Sequence, residues 1–242
     1  MSPHSKGETG AVILAAGGSS RLGQPKQLIL FRGKNLLCRV IDAAREGGCS
    51  PVVVVIGSDG QRVARELEQR NVISVENKRW QRGIGSSIRT GVQGLIDHTP
   101  DIDAIVLLVC DQPAVNEDTI RNLIMLREQT NKSIVASSYA NTLGVPALFD
   151  RSFFPELRSL PDEDGAKSII LRNRERVAQF EFPEGAVDID TPEDWESSTS
   201  TVILNDLTQA DCHAALTCGF YALTVRSLAV VGRDDERSAS AK

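Results

Sequence analysis

With 242 residues, of which 41% are hydrophobic and 24% charged, the chain has the length and make-up of one large α/β domain and falls outside the disordered and membrane classes. Its formal net charge of -5, with basic residues dispersed rather than gathered in a stripe, argues against a nonspecific nucleic-acid binder. The polar stretch 1–10 lacks the apolar centre of a signal peptide, and the five cysteines (Cys38, Cys49, Cys110, Cys212, Cys218) form no CxxC pair, so a cytoplasmic protein with reduced thiols is expected.

The chain opens with an apolar, β-branched run over 11–15, a glycine-bearing loop, and helical spacing over 35–46 with Asn35 as cap. A second strand is expected over 51–56, then a helix over 59–69 capped by Asp59, and, after a loop, a helix over 86–97 capped by Ser86. The continuous apolar run 104–109 reads as a strand buried on both faces, followed by a helix over 117–129. Strands over 133–138 and 145–149, a helix over 165–172 and a strand over 177–182 continue the pattern less regularly. Thr191, Pro192 and the acids Glu193 and Asp194 open a last helix over 191–195. This βα rhythm predicts an α/β fold, a mostly parallel central sheet with helices on both faces.

The Ser/Thr run 197–201 reads as a linker, which predicts one domain over 1–196 and a C-terminal extension over 197–242, partly disordered. Within the extension, 212–231 is apolar but carries His213 and Arg226, which argues against a membrane span.

Chemistry concentrates in a few segments. Leu14, Ala15, Ala16, Gly17, Gly18, Ser19, Ser20, Arg21, Leu22, Gly23, Gln24, Pro25 and Lys26 follow the first strand directly. Small residues let backbone N–H groups approach an anion, and Arg21 and Lys26 can neutralise phosphate charge. The string is neither GxGxxG nor GxxxxGK[ST], so the dinucleotide and P-loop classes drop out. Asp111, in Cys110-Asp111-Gln112-Pro113, ends the strongest buried strand, where a carboxylate suits Mg²⁺ bound to a nucleoside triphosphate. Alternation puts Asp188 and Asp190 on one strand face, with Asp190 nearer the strand end. His4, His98 and His213 are placed poorly for a Ser-His-Asp hydrolase.

The order L-A-A-G-x-S-x-R-L-G-x-x-K resembles the signature loop of the MobA-like nucleotidyltransferases, which include the molybdenum cofactor cytidylyl- and guanylyltransferases. That resemblance implies a Rossmann-like nucleotidyltransferase fold, nucleotide binding by Leu14, Ala15, Ala16, Gly17 and Gly18, and phosphate contacts by Arg21 and Lys26. Ala16, Gln24 and Lys26 look like the cytidylyl branch and favour CTP. Asn77, Gly83, Ser86 and Ser87 match the segment that contacts base and ribose; Arg79 and Arg82 are expected to face solvent and Trp80 to pack as an anchor. Asp111 would hold the metal, completed by Asp190 in D-I-D-T-P-E-D. Gly144 and Pro146, in G-V-P-A-L-F, resemble the border of a molybdopterin pocket. Gly165 and Lys167, in D-E-D-G-A-K, resemble the element that binds the acceptor's terminal phosphate. Val145 stands where many relatives have His, and Glu163 where they have Gly. The implied reaction is transfer of CMP from Mg-CTP to the phosphate of a molybdopterin cofactor. The alternatives are guanylyl or cytidylyl transfer to a sugar or isoprenoid phosphate, and a noncatalytic nucleotide-binding chaperone partnered with a molybdoenzyme.

Overall fold

The computed structural model describes residues 7–18 and 25–187. The expected last helix, the linker, the extension and the domain boundary at 196 lie outside the described residues.

Seven strands form one sheet: β1 (Thr9–Ala15), β2 (Val52–Ile56), β3 (Ile73–Glu76), β4 (Ala104–Val109), β5 (Ile134–Tyr139), β6 (Thr142–Asp150) and β7 (Val177–Glu181). Their spatial order is β3-β2-β1-β4-β6-β5-β7. All run parallel except β6, which pairs antiparallel with both β4 and β5. The sheet is thus mostly parallel, as the βα rhythm requires, with one reversal where β5 and β6 form a hairpin.

Alternation along the strands separates two cores. Ala11, Ile13, Val52, Val54, Val106 and Leu108 face helices α1 (Leu36–Glu46), α2 (Gly60–Leu67) and α4 (Glu117–Thr130). Val12, Val53, Val55, Ile105 and Leu107 face α3 (Ile84–His98), α5 (Phe154–Arg158) and α6 (Ala166–Arg172). Parallel strands covered on both faces can be apolar at every position, which explains the uninterrupted runs Val52–Ile56 and Ala104–Val109.

Asn35 caps α1 as expected, its side-chain oxygen accepting from the Cys38 N–H at 2.7 Å. The other two starts are set by backbone conformation. Asp59 stands at the N-cap of α2 in a left-handed conformation (φ 55°) and makes no side-chain cap bond. Helix α3 starts at Ile84 with Gly83 as N-cap, earlier than Ser86, because Gly83 takes φ 128°, which glycine adopts readily. The Ser86 hydroxyl instead donates to the Gly83 carbonyl at 2.8 Å.

The chain winds from β1 to β2 and β3 on one side and returns to β4 on the other, so the order reverses between β1 and β4. In open α/β sheets that reversal leaves a crevice at the C-terminal strand ends. Close packing of α3 fixes its floor. A Cβ on Gly91 would overlap Val12 and stand 2.7 Å from Val55 Cγ2, whereas one on Gly60 would meet nothing nearer than Ile56 Cδ1 at 3.8 Å. Gly91→Ala is therefore expected to destabilise by about 1–3 kcal/mol, each kcal/mol lowering Tm by about 2–4 °C in a chain of this size. Gly60→Ala is expected to be neutral or stabilising by about 0.4–1 kcal/mol. Thermal melts of the pair check this, and equal losses would remove the packing account.

Candidate active site

The crevice is built from the turn that leaves β1. Gln27, in a short 3₁₀ turn (Lys26–Leu28), is buried, and its Nε2 donates to the carbonyls of Ala15 (2.7 Å) and Gly17 (2.9 Å). The Ser58 N–H donates to the Ala16 carbonyl at 3.1 Å. Trp80 closes over the other side: a Cβ on Gly18 would meet its ring at 3.1 Å, and one on Gly57 would meet its Cβ at 2.9 Å. Trp80 also packs on the core shared with α3, as an anchor would. Gly17 and Gly18 remain exposed.

Beside this turn, β4 delivers Asp111. Lys26 Nζ lies 2.7 Å from Asp111 Oδ2, with 20% and 23% of the two side chains exposed. The next residue, Gln112, is buried, and its Nε2 donates to the carbonyls of Val145 (3.2 Å) and Gly185 (2.9 Å). Gln112 thereby ties the Gly144–Pro146 end of β6 to the residue after Asp111.

A third group lines the far wall. Asn77, Ser86 and Ser87 are all buried. The Asn77 side chain donates to Ser86 Oγ (2.8 Å) and Ser87 Oγ (3.0 Å) and accepts from the Arg79 N–H (2.9 Å). These polar groups satisfy one another and fix the turn that carries Gly83 into α3.

That turn docks on the segment before α6. Cβ atoms on Gly83 and Gly85 would overlap the carbonyl oxygens of Asp162 and Pro161, and the Gly85 N–H donates to the Asp162 carbonyl at 2.9 Å. Arg89 bonds both the Asp162 carboxylate and the Leu160 carbonyl. Arg82 Nε sits 2.6 Å from Asp162 Oδ2, so Arg82 is solvent-exposed as expected but also ion-paired. Gly165 caps α6, within 3.7 Å of Ile84 Cγ2 if it carried a Cβ, and Lys167 is exposed on the first turn. The Arg89 hydrogen bond holds the Asp162 carboxyl below its usual range, burial opposes this, and the Arg82 charge adds to it.

Leu14 to Gly18, Lys26 and Asp111 thus meet at the sheet's C-terminal edge, with Gly144 and Pro146 joined to them through Gln112. Asn77, Gly83, Ser86 and Ser87 form a second cluster, joined through Asp162 to the segment carrying Gly165 and Lys167. Arg21, Gln24, Asp188 and Asp190 lie outside the described residues. Gln27, Gln112, Arg89 and Asp162 did not stand out in the sequence, because a buried amide or a bridging acid has no local pattern of its own.

Among the described residues no three His, Cys, Asp or Glu side chains cluster as a metal site. A single accessible carboxylate does fit Mg²⁺, which takes one or two carboxylates and completes its shell with water and substrate phosphates. Cys38, Cys49 and Cys110 are buried free thiols; burial pushes Cys49 up to about 12 and Cys110 higher still. Such thiols are inert at neutral pH. No helix among the described residues is long and apolar enough to cross a membrane.

A doubly wound sheet with a glycine turn and an acid at its point of reversal defines a Rossmann-like nucleotide-handling protein. The chain belongs to the family of MobA-like NTP transferase domains, whose model matches residues 11–177. It is 30% identical over 169 residues to the nicotine blue oxidoreductase of Paenarthrobacter nicotinovorans, covering 67% of this chain and 81% of that protein. It is 25% identical over 185 residues to the molybdenum cofactor cytidylyltransferase of Escherichia coli, covering 76% of this chain and 92% of that protein. The manganese complex of Rv0371c from Mycobacterium tuberculosis matches with a TM-score of 0.62 at 28% identity, over 78% of this chain and 97% of that one.

The pKa of Asp162 sets a pH window. A carboxyl depressed by folding stabilises fully above its ordinary value of 3.8 and loses that contribution as pH falls through the lower folded value. Asp162→Asn should lower Tm at neutral pH, and the gap to wild type should narrow below about pH 4. Melts across that range check it; a constant gap would contradict the assignment.

Proposed function

We propose that the chain is a nucleotidyltransferase that moves CMP from CTP to the phosphate of a molybdopterin cofactor and releases pyrophosphate. The observation that carries this reading is the Lys26–Asp111 pair at 2.7 Å, set beside the exposed Gly17–Gly18 turn at the reversal of the sheet. That corner offers a cation for phosphates, a carboxylate for a divalent ion and backbone amides for a nucleotide.

In this reading an oxygen of the acceptor phosphate attacks the α-phosphorus of CTP. The new P–O bond forms as the bond to the bridging oxygen breaks, and pyrophosphate leaves with the electron pair. A phosphate monoester is already a nucleophile at neutral pH, so the protein has mainly to position and to stabilise charge. Lys26 and Arg21 bind the triphosphate and spread its charge. Asp111, with Asp190, would hold Mg²⁺, which screens the phosphates and polarises the α-phosphoryl group; the manganese bound to the M. tuberculosis relative is in keeping with such a site. Gly165 and Lys167 orient the acceptor phosphate through the amide end of α6 and an ammonium. Gly144 and Pro146 border the pterin. CTP as donor draws on Ala16 and Gln24 and on the E. coli cytidylyltransferase.

A second reading draws on the relative named nicotine blue oxidoreductase, in which this crevice would serve oxidation and reduction rather than group transfer. Pyrophosphate release from Mg-CTP and Mg-GTP, each with molybdopterin, separates the two. CTP-dependent release supports cytidylyl transfer. NADH or NADPH oxidation with no pyrophosphate from either nucleotide would replace it with the second reading. Asp111→Ala is expected to abolish turnover, and Lys26→Ala to lower kcat by about 10²–10³-fold, the loss typical of one preorganised charge contact. Undiminished turnover in either variant would remove that residue's role.

A further inference from the structure

Gln27 combines three observations that packing alone does not account for. Its side chain is buried, with 2% of the residue exposed. Its two Nε2 hydrogens go to two carbonyls of one turn, Ala15 and Gly17. Its own oxygen, Oε1, is buried and has no hydrogen-bond partner among the described residues. A buried orphan acceptor offsets part of what the two donated bonds contribute to the fold. What sets Gln27 apart is that both of its donors act on a single turn.

Their effect follows from peptide geometry. The Ala15–Ala16 and Gly17–Gly18 bonds are trans, and in a trans peptide the C=O and N–H point in opposite directions. Holding the carbonyls of Ala15 and Gly17 against Gln27 turns the amide hydrogens of Ala16 and Gly18 to the other side. Without that hold, the Gly17–Gly18 peptide could flip and place a carbonyl oxygen where a donor had been, whereas Ala15 is also paired in β1. An acceptor facing a phosphate repels it, so one flip both removes a donor and adds a repulsion. Glycines at 17 and 18 make a flip of the peptide between them easy, because they lack the Cβ that limits φ. The two hydrogens on one amide nitrogen meet both carbonyls; a carboxylate would face them with oxygens.

We propose that Gln27 is a positioning residue that locks the Ala15–Gly18 turn in the donor-outward state required to bind a nucleoside triphosphate. The proposal deepens the nucleotide reading above and rests on it. Gln27 acts through the backbone of the turn and need not touch the nucleotide.

The test uses the full chain with Mg-CTP, comparing wild type, Gln27→Met and Gln27→Glu by calorimetric titration and thermal melts. Gln27→Met fills the same space without donors and is expected to keep a folded protein while weakening CTP binding by about 10- to 100-fold, the worth of hydrogen bonds to a charged ligand. Gln27→Glu is expected to bind more weakly still. In steady state the KM for CTP should rise while the KM for the acceptor stays unchanged, a split that a purely structural role would not produce. A Gln27→Met protein that binds CTP like wild type overturns the proposal and leaves the nucleotide reading intact. A Gln27→Met protein that unfolds assigns the residue to the core and overturns it as well. Wild type that binds no nucleoside triphosphate overturns both readings.

Discussion

The position of β1 between β2 and β4 constrains everything else in this molecule. A parallel strand covered on both faces must satisfy its backbone through its lateral neighbours, so its side chains can all be apolar and its polar ends must finish at the edges. Because β1, β2 and β4 run the same way, their C-terminal ends finish together. The glycine turn after Ala15 and the Cys110–Asp111 step are brought side by side by that pairing, 96 residues apart in the case of the contact from Cys110 Sγ to the Leu14 carbonyl. Polar groups that would disrupt the strand interior are confined to this edge, which is why the chemistry collects there.

A second constraint is steric. Gly83 and Gly85 allow the start of α3 to lie directly on the backbone of Pro161 and Asp162, where any side chain would overlap a carbonyl. Asp162 then draws Arg82 and Arg89 together from two different elements. The segment with the nucleotide-like motif and the segment with the acceptor-like motif are thus held in contact by backbone approach and one carboxylate. Exposed ion pairs are weak in isolation, but a carboxylate shared by two guanidiniums and backed by a backbone hydrogen bond fixes orientation as well as distance.

Strand periodicity made the sheet legible in advance. The β-branched apolar run at 51–56 reads as a strand and the continuous run at 104–109 as one covered on both faces, and both are strands buried on both faces. The glycine turn and Asp111 were legible for the same reason: their meaning comes from following such a strand. The reversal of β6 was less so, since 133–149 reads as two strands whichever way the second one runs. The start of α3 was displaced because Gly83 adopts positive φ, a local backbone choice that side-chain capping preferences do not anticipate; Asp59 caps α2 where expected but, also at positive φ, makes no side-chain bond. Gln27 and Gln112 were illegible because their partners are main-chain carbonyls, and Asp162 because its partners lie 73 and 80 residues away. Long-range hydrogen bonds to backbone leave no periodic trace.

The Lys26–Asp111 pair carries the last step. Both side chains are only about one-fifth exposed, and for such a pair the cost of desolvating two charges offsets much of their attraction. Stability is therefore a weak reason for the two charges to meet. Placed together, the two charges offset one another at the edge of the low-dielectric sheet. A polyphosphate with its divalent counterion brings the same two charges in the opposite sense: its anion offers a partner to the ammonium and its cation a partner to the carboxylate. Exchange of partners then costs little electrostatically, whereas phosphate without the cation would leave the Asp111 carboxylate facing like charge. On the function proposed above, the pair would in this way favour the metal complex of the nucleotide over the bare anion.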